Sequence, residues 1–284
     1  MSLRTLVTKL FKAVSLQAPS PVLVALLTVA VIVPQATSLY ESIRISRLES
    51  NVRAATFLLA AKWGNKLNEE PITHGLCTAT VYEKTGPKTY RLITAGHCLV
   101  VPESDGAHYF VKHDTLTGQS EYPVKVIKRE RQDPVDFMVL ELTTDEKLPV
   151  VPLGNELDSK MNDPLYVVNF SEMLIKQESH GVIASNIMDE AAIDPNYADC
   201  SICQKRFIAH LFAGPGASGS LVIDERTGKA IGILTGGTSL TIGAFIEPIS
   251  DFQPWYTGRP VLPSRWDRFK AFIGSRLAHL VRAK

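Results

Sequence analysis

Three short strings, in a fixed order along the chain, narrow its possible folds more than any bulk property does. They are Thr94-Ala95-Gly96-His97-Cys98, Asp136-Phe137-Met138-Val139-Leu140 and Gly216-Ala217-Ser218-Gly219-Ser220. The β-prone run Leu92-Ile93-Thr94-Ala95 delivers His97 to a turn at Gly96. Asp136 opens a mostly apolar run, so it sits at the mouth of a core strand, where an imidazole N–H is its natural partner. From Gly214 to Ser220 almost every residue is small, and such a loop can fold tightly with its backbone N–H groups turned inward. A serine hydroxyl is a poor nucleophile at neutral pH; it needs a neighbouring base, and that base needs an orienting carboxylate. Asp133 is the nearest rival carboxylate, but it precedes Pro134, which favours a loop. Ser220 is the rival hydroxyl. Taken singly, each string has an ordinary reading as a turn, a structural histidine or a solvated strand cap. Their conjunction, in this order and over a domain-sized span, gives them weight.

The strings resemble the motifs of the chymotrypsin-like serine peptidases. Thr94 to Cys98 looks like that family's histidine motif, Gly216 to Ser220 like its G-x-S-G-G/S nucleophile loop, and Asp136 to Leu142 like its aspartate-plus-apolar-strand motif. The resemblance implies an all-β fold of two six-stranded antiparallel β-barrels and a His97–Asp136–Ser218 triad. It implies an oxyanion hole from the N–H groups of Gly216 and Ser218, and it places Ser220 where the family has Gly or Ser. It also implies a Cys77–Cys98 disulfide closing the histidine loop, which requires an oxidising compartment. Carried over by position, the base of the primary specificity pocket falls at Phe212 and Ala213, and one wall at Thr235, Gly236 and Gly237. No acid stands at that base, so the resemblance implies an apolar P1 side chain in a protein or peptide substrate. Phe212 as a core residue is the alternative. Ala217 stands where zymogen-activated members carry an aspartate, which speaks against a switch operated by a new N-terminal ammonium. No metal or organic cofactor is implied.

The rest of the chain reads as attachments. Its 284 residues suit a two-barrel domain with extensions, and its formal net charge of +1 gives no field favouring nucleic acid. Residues 21–33 are apolar apart from Thr28, with Arg4, Lys9 and Lys12 ahead of them and no acid among those first residues. That polarity keeps 1–20 in the cytosol. It makes 21–38 a single-pass anchor, with the catalytic domain on the extracytoplasmic side. A cleavable signal is the alternative, leaving a secreted or periplasmic protein. Leu39, Ile43, Leu48, Val52, Ala55 and Leu59 recur at roughly helical spacing, so a helix is expected over about 39–66, within a stalk reaching residue 70. The barrel domain is expected over 71–263, and 264–284 reads as a basic amphipathic helix. Cys200 and Cys203 form a C-x-x-C whose readings are a local disulfide, free thiols or, less favoured, half of a zinc site. Two readings from other classes stand beside the peptidase: a catalytically silent protease fold serving as a membrane-bound binding module, and a redox or metal protein built on Cys200 and Cys203. The oligomeric state is not legible.

Overall fold

The computed structural model describes residues 21–64, 72–101, 106–114, 120–130, 135–173, 175–185, 188–189, 205–237 and 243–258; in 21–34, 188–189 and 205 it describes the main chain only. Helix α1, Pro21–Ala55, holds the apolar run and part of the expected stalk. Arg53 in its last turn suits the negative end of the helix dipole. The helix stops where the buried Thr56 hydroxyl donates back to the Val52 carbonyl at 2.8 Å, satisfying one of the carbonyls a helix end leaves open. Among the described residues no helix is long and apolar enough to cross a membrane; the side chains of 21–33 lie outside them.

The expected helix over 39–66 ends early. Thr56–Trp63 is strand β1, and its first six residues are buried. It pairs with two neighbours, Thr56 facing Thr80 on one side and Leu59 facing Val111 on the other. A helix would bury one face of Phe57-Leu58-Leu59-Ala60-Ala61, whereas a central strand buries both. Burying a large apolar side chain is worth about 2 kcal/mol, so the strand wins. The barrel domain therefore begins ahead of Pro71.

The first barrel continues with β2 (Ile72–Lys84), β3 (Thr89–Ala95), β4 (His108–Lys112), β5 (Tyr122–Arg129) and β6 (Phe137–Thr143), and closes in the order β1-β2-β3-β6-β5-β4. The hairpin between β2 and β3 turns at 85–88, where the Thr85 and Gly86 N–H groups both donate to the Thr89 carbonyl. The second barrel comprises β7 (Pro164–Asn169), β8 (Gln177–Ile183), β10 (Lys205–His210), β11 (Leu221–Asp224), β12 (Lys229–Gly237) and β13 (Gly243–Pro248). Its order is β13-β12-β11-β7-β8-β10, closed by β10–β13 pairing, with the two-residue β9 (Met188–Asp189) added on β10. Both barrels are antiparallel and six-stranded. Leu165, Val167, Phe207, Val222 and Ile246 centre the second core.

A short helix, α2 (Phe252–Thr257), ties the end of β13 to the first barrel. Phe252 meets Tyr82 and Phe137 edge-on, with ring centroids 5.2 and 5.4 Å apart. Lys128 caps α2 by donating to the Trp255 and Tyr256 carbonyls. The expected helix over 264–284 and the Cys200–Cys203 segment lie outside the described residues.

Candidate active site

His97 sits in the 3-10 turn Gly96–Cys98 that follows β3. Only glycine fits before it, because a Cβ at Gly96 would run into the Glu130 carbonyl. Asp136, 3% exposed, precedes β6 and spends both carboxylate oxygens on His97. Oδ1 accepts the His97 backbone N–H at 2.7 Å, and Oδ2 lies 2.5 Å from Nδ1. The Asp136 carbonyl also accepts the Gly96 N–H at 3.0 Å. Asp136 thus orients both the turn and the ring, and Nε2 has no described partner. The rival Asp133 lies outside the described residues.

Arg129 also serves this turn, and its sequence setting gave no hint of that. Its Nε donates to the Gly96 carbonyl at 2.9 Å and its terminal nitrogen to the Leu99 carbonyl at 2.8 Å. A lone arginine at a strand end carries no motif.

The serine loop crosses from the second barrel. Ser220 is fully buried and its hydroxyl donates to the Ala217 carbonyl at 2.6 Å, so it is committed to holding the loop closed. Ser218 is half-buried, with no described hydrogen bond on its hydroxyl. Its carbonyl accepts the Thr78 N–H at 2.9 Å. The Ala217 N–H turns inward to the Gly214 carbonyl, while neither the Gly216 nor the Ser218 N–H donates to a described residue. Gly219, at φ +85°, lies so close to Thr94 and the Thr78 carbonyl that a Cβ has no room. Ser218 is thus fixed one residue from the strand that delivers His97. The structure joins Asp136 to His97 directly and brings the Ser218 loop against the same strands; the Ser218 hydroxyl and the imidazole are not hydrogen-bonded to each other. Hydrogen bonds of this type are often long before substrate binds.

Thr78 is the second residue that sequence reasoning missed. Fully buried on β2, it donates its hydroxyl to the Gly216 carbonyl at 2.8 Å and accepts the Phe170 N–H at 3.0 Å. With its own N–H on the Ser218 carbonyl, it pins the serine loop to the first barrel through two bonds and ties in Phe170 by a third. Nothing distinguishes it in sequence from any other strand threonine.

Of the pocket candidates, Ala213 and Gly237 are brought together. Ala213 is half-buried against the core of the second barrel. A Cβ at Gly237 would stand 4.0 Å from the Ala213 Cβ, an ordinary van der Waals distance, so the two residues are neighbours. Thr235 lies buried on β12 beside Gly236, its hydroxyl donating to the Phe245 carbonyl at 3.4 Å. Phe212 is 54% exposed, so its ring is not in the core; its N–H is held by Ser179 at 3.0 Å and its carbonyl by Asn169 at 3.3 Å.

Cys77 and Cys98 form a disulfide with Cα atoms 5.9 Å apart. Together with His97 they make the one cluster of metal-type side chains found among the described residues, but the bond consumes both sulfurs. Peptides from the non-reduced protein, mapped by mass spectrometry, are expected to contain the Cys77–Cys98 pair. Removing it should cost about 3 kcal/mol of stability, the scale for a loop of this length. Two free thiols in the native protein would overturn the pairing.

A family model described as a trypsin-like peptidase domain matches residues 77–233, more than half of the 284-residue chain. The chain belongs to the trypsin-like peptidases. As a trypsin-like peptidase it is a serine endopeptidase, and the matched span runs from the disulfide through His97, Asp136 and Ser218 into β12. Among solved structures it is similar to an HtrA-type protease, AlgW, solved with a decapeptide. The identity is 16% and the TM-score 0.58, with 77% of this chain and 69% of that chain covered. At that identity the likeness shows the double-barrel fold. No curated protein matches the chain.

Proposed function

We propose that this trypsin-like peptidase is tethered to a membrane and cleaves peptide bonds through His97, Asp136 and Ser218. The observation that carries the proposal is the Asp136 carboxylate held on both His97 N–H groups, beside a serine whose neighbouring hydroxyl, Ser220, is spent on the loop. Ser218 Oγ attacks the substrate carbonyl carbon while His97 Nε2 takes the hydroxyl proton. The Gly216 and Ser218 N–H groups receive the oxyanion, and each such donor is worth about 3 kcal/mol. When the C–N bond breaks, His97 returns the proton to the leaving amine. Water, activated by the same imidazole, then hydrolyses the acyl-enzyme. Asp136 keeps Nδ1 protonated and stabilises the imidazolium.

Ala213 and Gly237 are neighbours next to the exposed Phe212, and the absence of an acid among these residues supports an apolar P1 residue. The neighbour solved with a decapeptide supports a peptide or protein as substrate. The tether rests on the apolar run 21–33 behind Arg4, Lys9 and Lys12, an arrangement that puts the peptidase domain on the extracytoplasmic side.

Fluorophosphonate labelling of the detergent-solubilised chain is the test. The label is expected on Ser218 alone. The chain is expected to resist carbonate extraction, and deletion of residues 1–38 should release a soluble form that still labels. A silent binding module would take no label. A mature N-terminus near Leu39 would replace the anchor by a cleaved signal.

A further inference from the structure

Ala217, before the proposed nucleophile, is buried in the second core and offers the serine loop no polar anchor. The anchor comes from the end of β7, where Asn169 and Ser171 are both fully buried. The Asn169 side-chain nitrogen donates to the Phe212 carbonyl at 3.3 Å. Its oxygen accepts the Ser171 N–H at 3.0 Å and the Ser171 hydroxyl at 2.8 Å. With its proton directed to Asn169, the Ser171 hydroxyl oxygen accepts the Gly214 N–H at 3.1 Å. One residue on, the Glu172 N–H donates to the Pro215 carbonyl at 2.6 Å. Phe212, Gly214 and Pro215 are thus tied to one short segment.

That segment is held in a shape its residues do not favour. Glu172 at φ 59° and Met173 at φ 56° both lie in the left-handed region that side chains disfavour. Strain of this kind persists where the surroundings over-determine it, and it clusters at functional sites. The Met173 N–H reaches back to the Phe170 carbonyl at 2.8 Å. That same carbonyl and Met173 fill the space a Cβ on Gly216 would need. The hydrogen bond at Pro215 also sets a direction. A trans peptide points its carbonyl and its N–H to opposite sides. With the Pro215 carbonyl drawn to Glu172, the Gly216 N–H points away from the segment, and it donates to no described residue.

We propose that Asn169 and Ser171 are positioning residues for the oxyanion hole: their relay to Phe212 and Gly214, with the Glu172 main chain on Pro215, aims the Gly216 N–H before substrate arrives. The inference rests on the triad reading above. Both side chains act through the main chain of the serine loop. Their contribution therefore belongs to the step in which negative charge develops on the substrate oxygen, and not to substrate binding.

The test uses full-length, detergent-solubilised chain, an apolar-P1 reporter peptide and a peptidyl boronic acid of matching sequence. The boronate's tetrahedral adduct on Ser218 puts an oxygen where the oxyanion would lie, so it reads transition-state binding. Rates are scaled to the fraction of chain that fluorophosphonate labels to completion, which removes misfolded protein from the comparison. Outright loss of an oxyanion donor lowers kcat about 10²–10³-fold, and a donor kept but misaimed loses less. Ser171→Ala is expected to lower kcat on the order of 10-fold, keep KM within about two-fold and weaken the boronate by the same factor as kcat. Asn169→Ala frees both Phe212 and Ser171, and it should lower kcat and boronate affinity on the order of 100-fold. Ser171→Ala removes a single oxygen, and it decides alone if Asn169→Ala does not fold. A merely structural role would lower the melting temperature and the labelled fraction but leave kcat and boronate affinity per labelled chain unchanged. That result overturns the proposal, and so does a loss confined to KM. A wild type that neither labels nor cleaves overturns the triad reading and this inference with it. An active wild type with unaffected variants overturns the inference alone.

Discussion

Ser218→Ala should lower hydrolysis of an apolar-P1 reporter peptide on the order of 10⁶-fold, the loss that accompanies removal of a triad nucleophile. The fold should survive, because the substitution touches nothing the loop depends on. The Ser218 carbonyl keeps the Thr78 N–H, and the Gly219 N–H stays on the Leu234 carbonyl at 2.6 Å. Ser220→Ala makes the informative contrast. It removes the 2.6 Å bond to the Ala217 carbonyl and should cost about 1 kcal/mol of stability while leaving the nucleophile in place. Thermal unfolding and initial rates, measured on both variants, separate the roles. If Ser218→Ala keeps even a hundredth of the rate while Ser220→Ala loses it, the nucleophile has been misplaced.

Asp136→Asn should reduce kcat on the order of 10⁴-fold with KM nearly unchanged. The carboxylate accepts two N–H groups on separate oxygens, one from the His97 main chain and one from its ring. An amide offers one oxygen and one NH₂. It can satisfy the main chain, but it then presents a donor to the ring and selects the tautomer with its proton on Nε2. That imidazole cannot take a proton from Ser218. Asp133→Asn should leave kcat within a few-fold of the wild type. A large loss there with little change at Asp136 would transfer the role to Asp133.

The candidate residues were legible because each sits in a local pattern, and the double barrel because those patterns carry a resemblance to a known family. A strand ending in Gly-His, an aspartate opening an apolar run and a loop of small residues each declare themselves within seven positions. The residues that lock those pieces together were not legible. Thr78 and Arg129 act across separations of 138 and 33 positions, reaching Gly216 and Gly96 respectively. Such contacts exist only once strand register is set, and register is a property of the closed barrel. The misreading of Thr56–Trp63 has another cause. A short, continuously apolar run lacks the alternation that separates strand from buried helix, and Leu59 continued a spacing that was truly helical as far as Ala55.

The junction at Thr56 bears on where the proposed tether could be cut. Helix passes into barrel strand with no spacer between them, the Val52 carbonyl in the last helical turn being tied by the first residue of β1. A sheddase that freed the catalytic part would have to cut upstream, within the helix. A cut beyond Thr56 would take an inner stave out of the first barrel, and with it the seat of Cys77, since Leu59 is the residue opposite it.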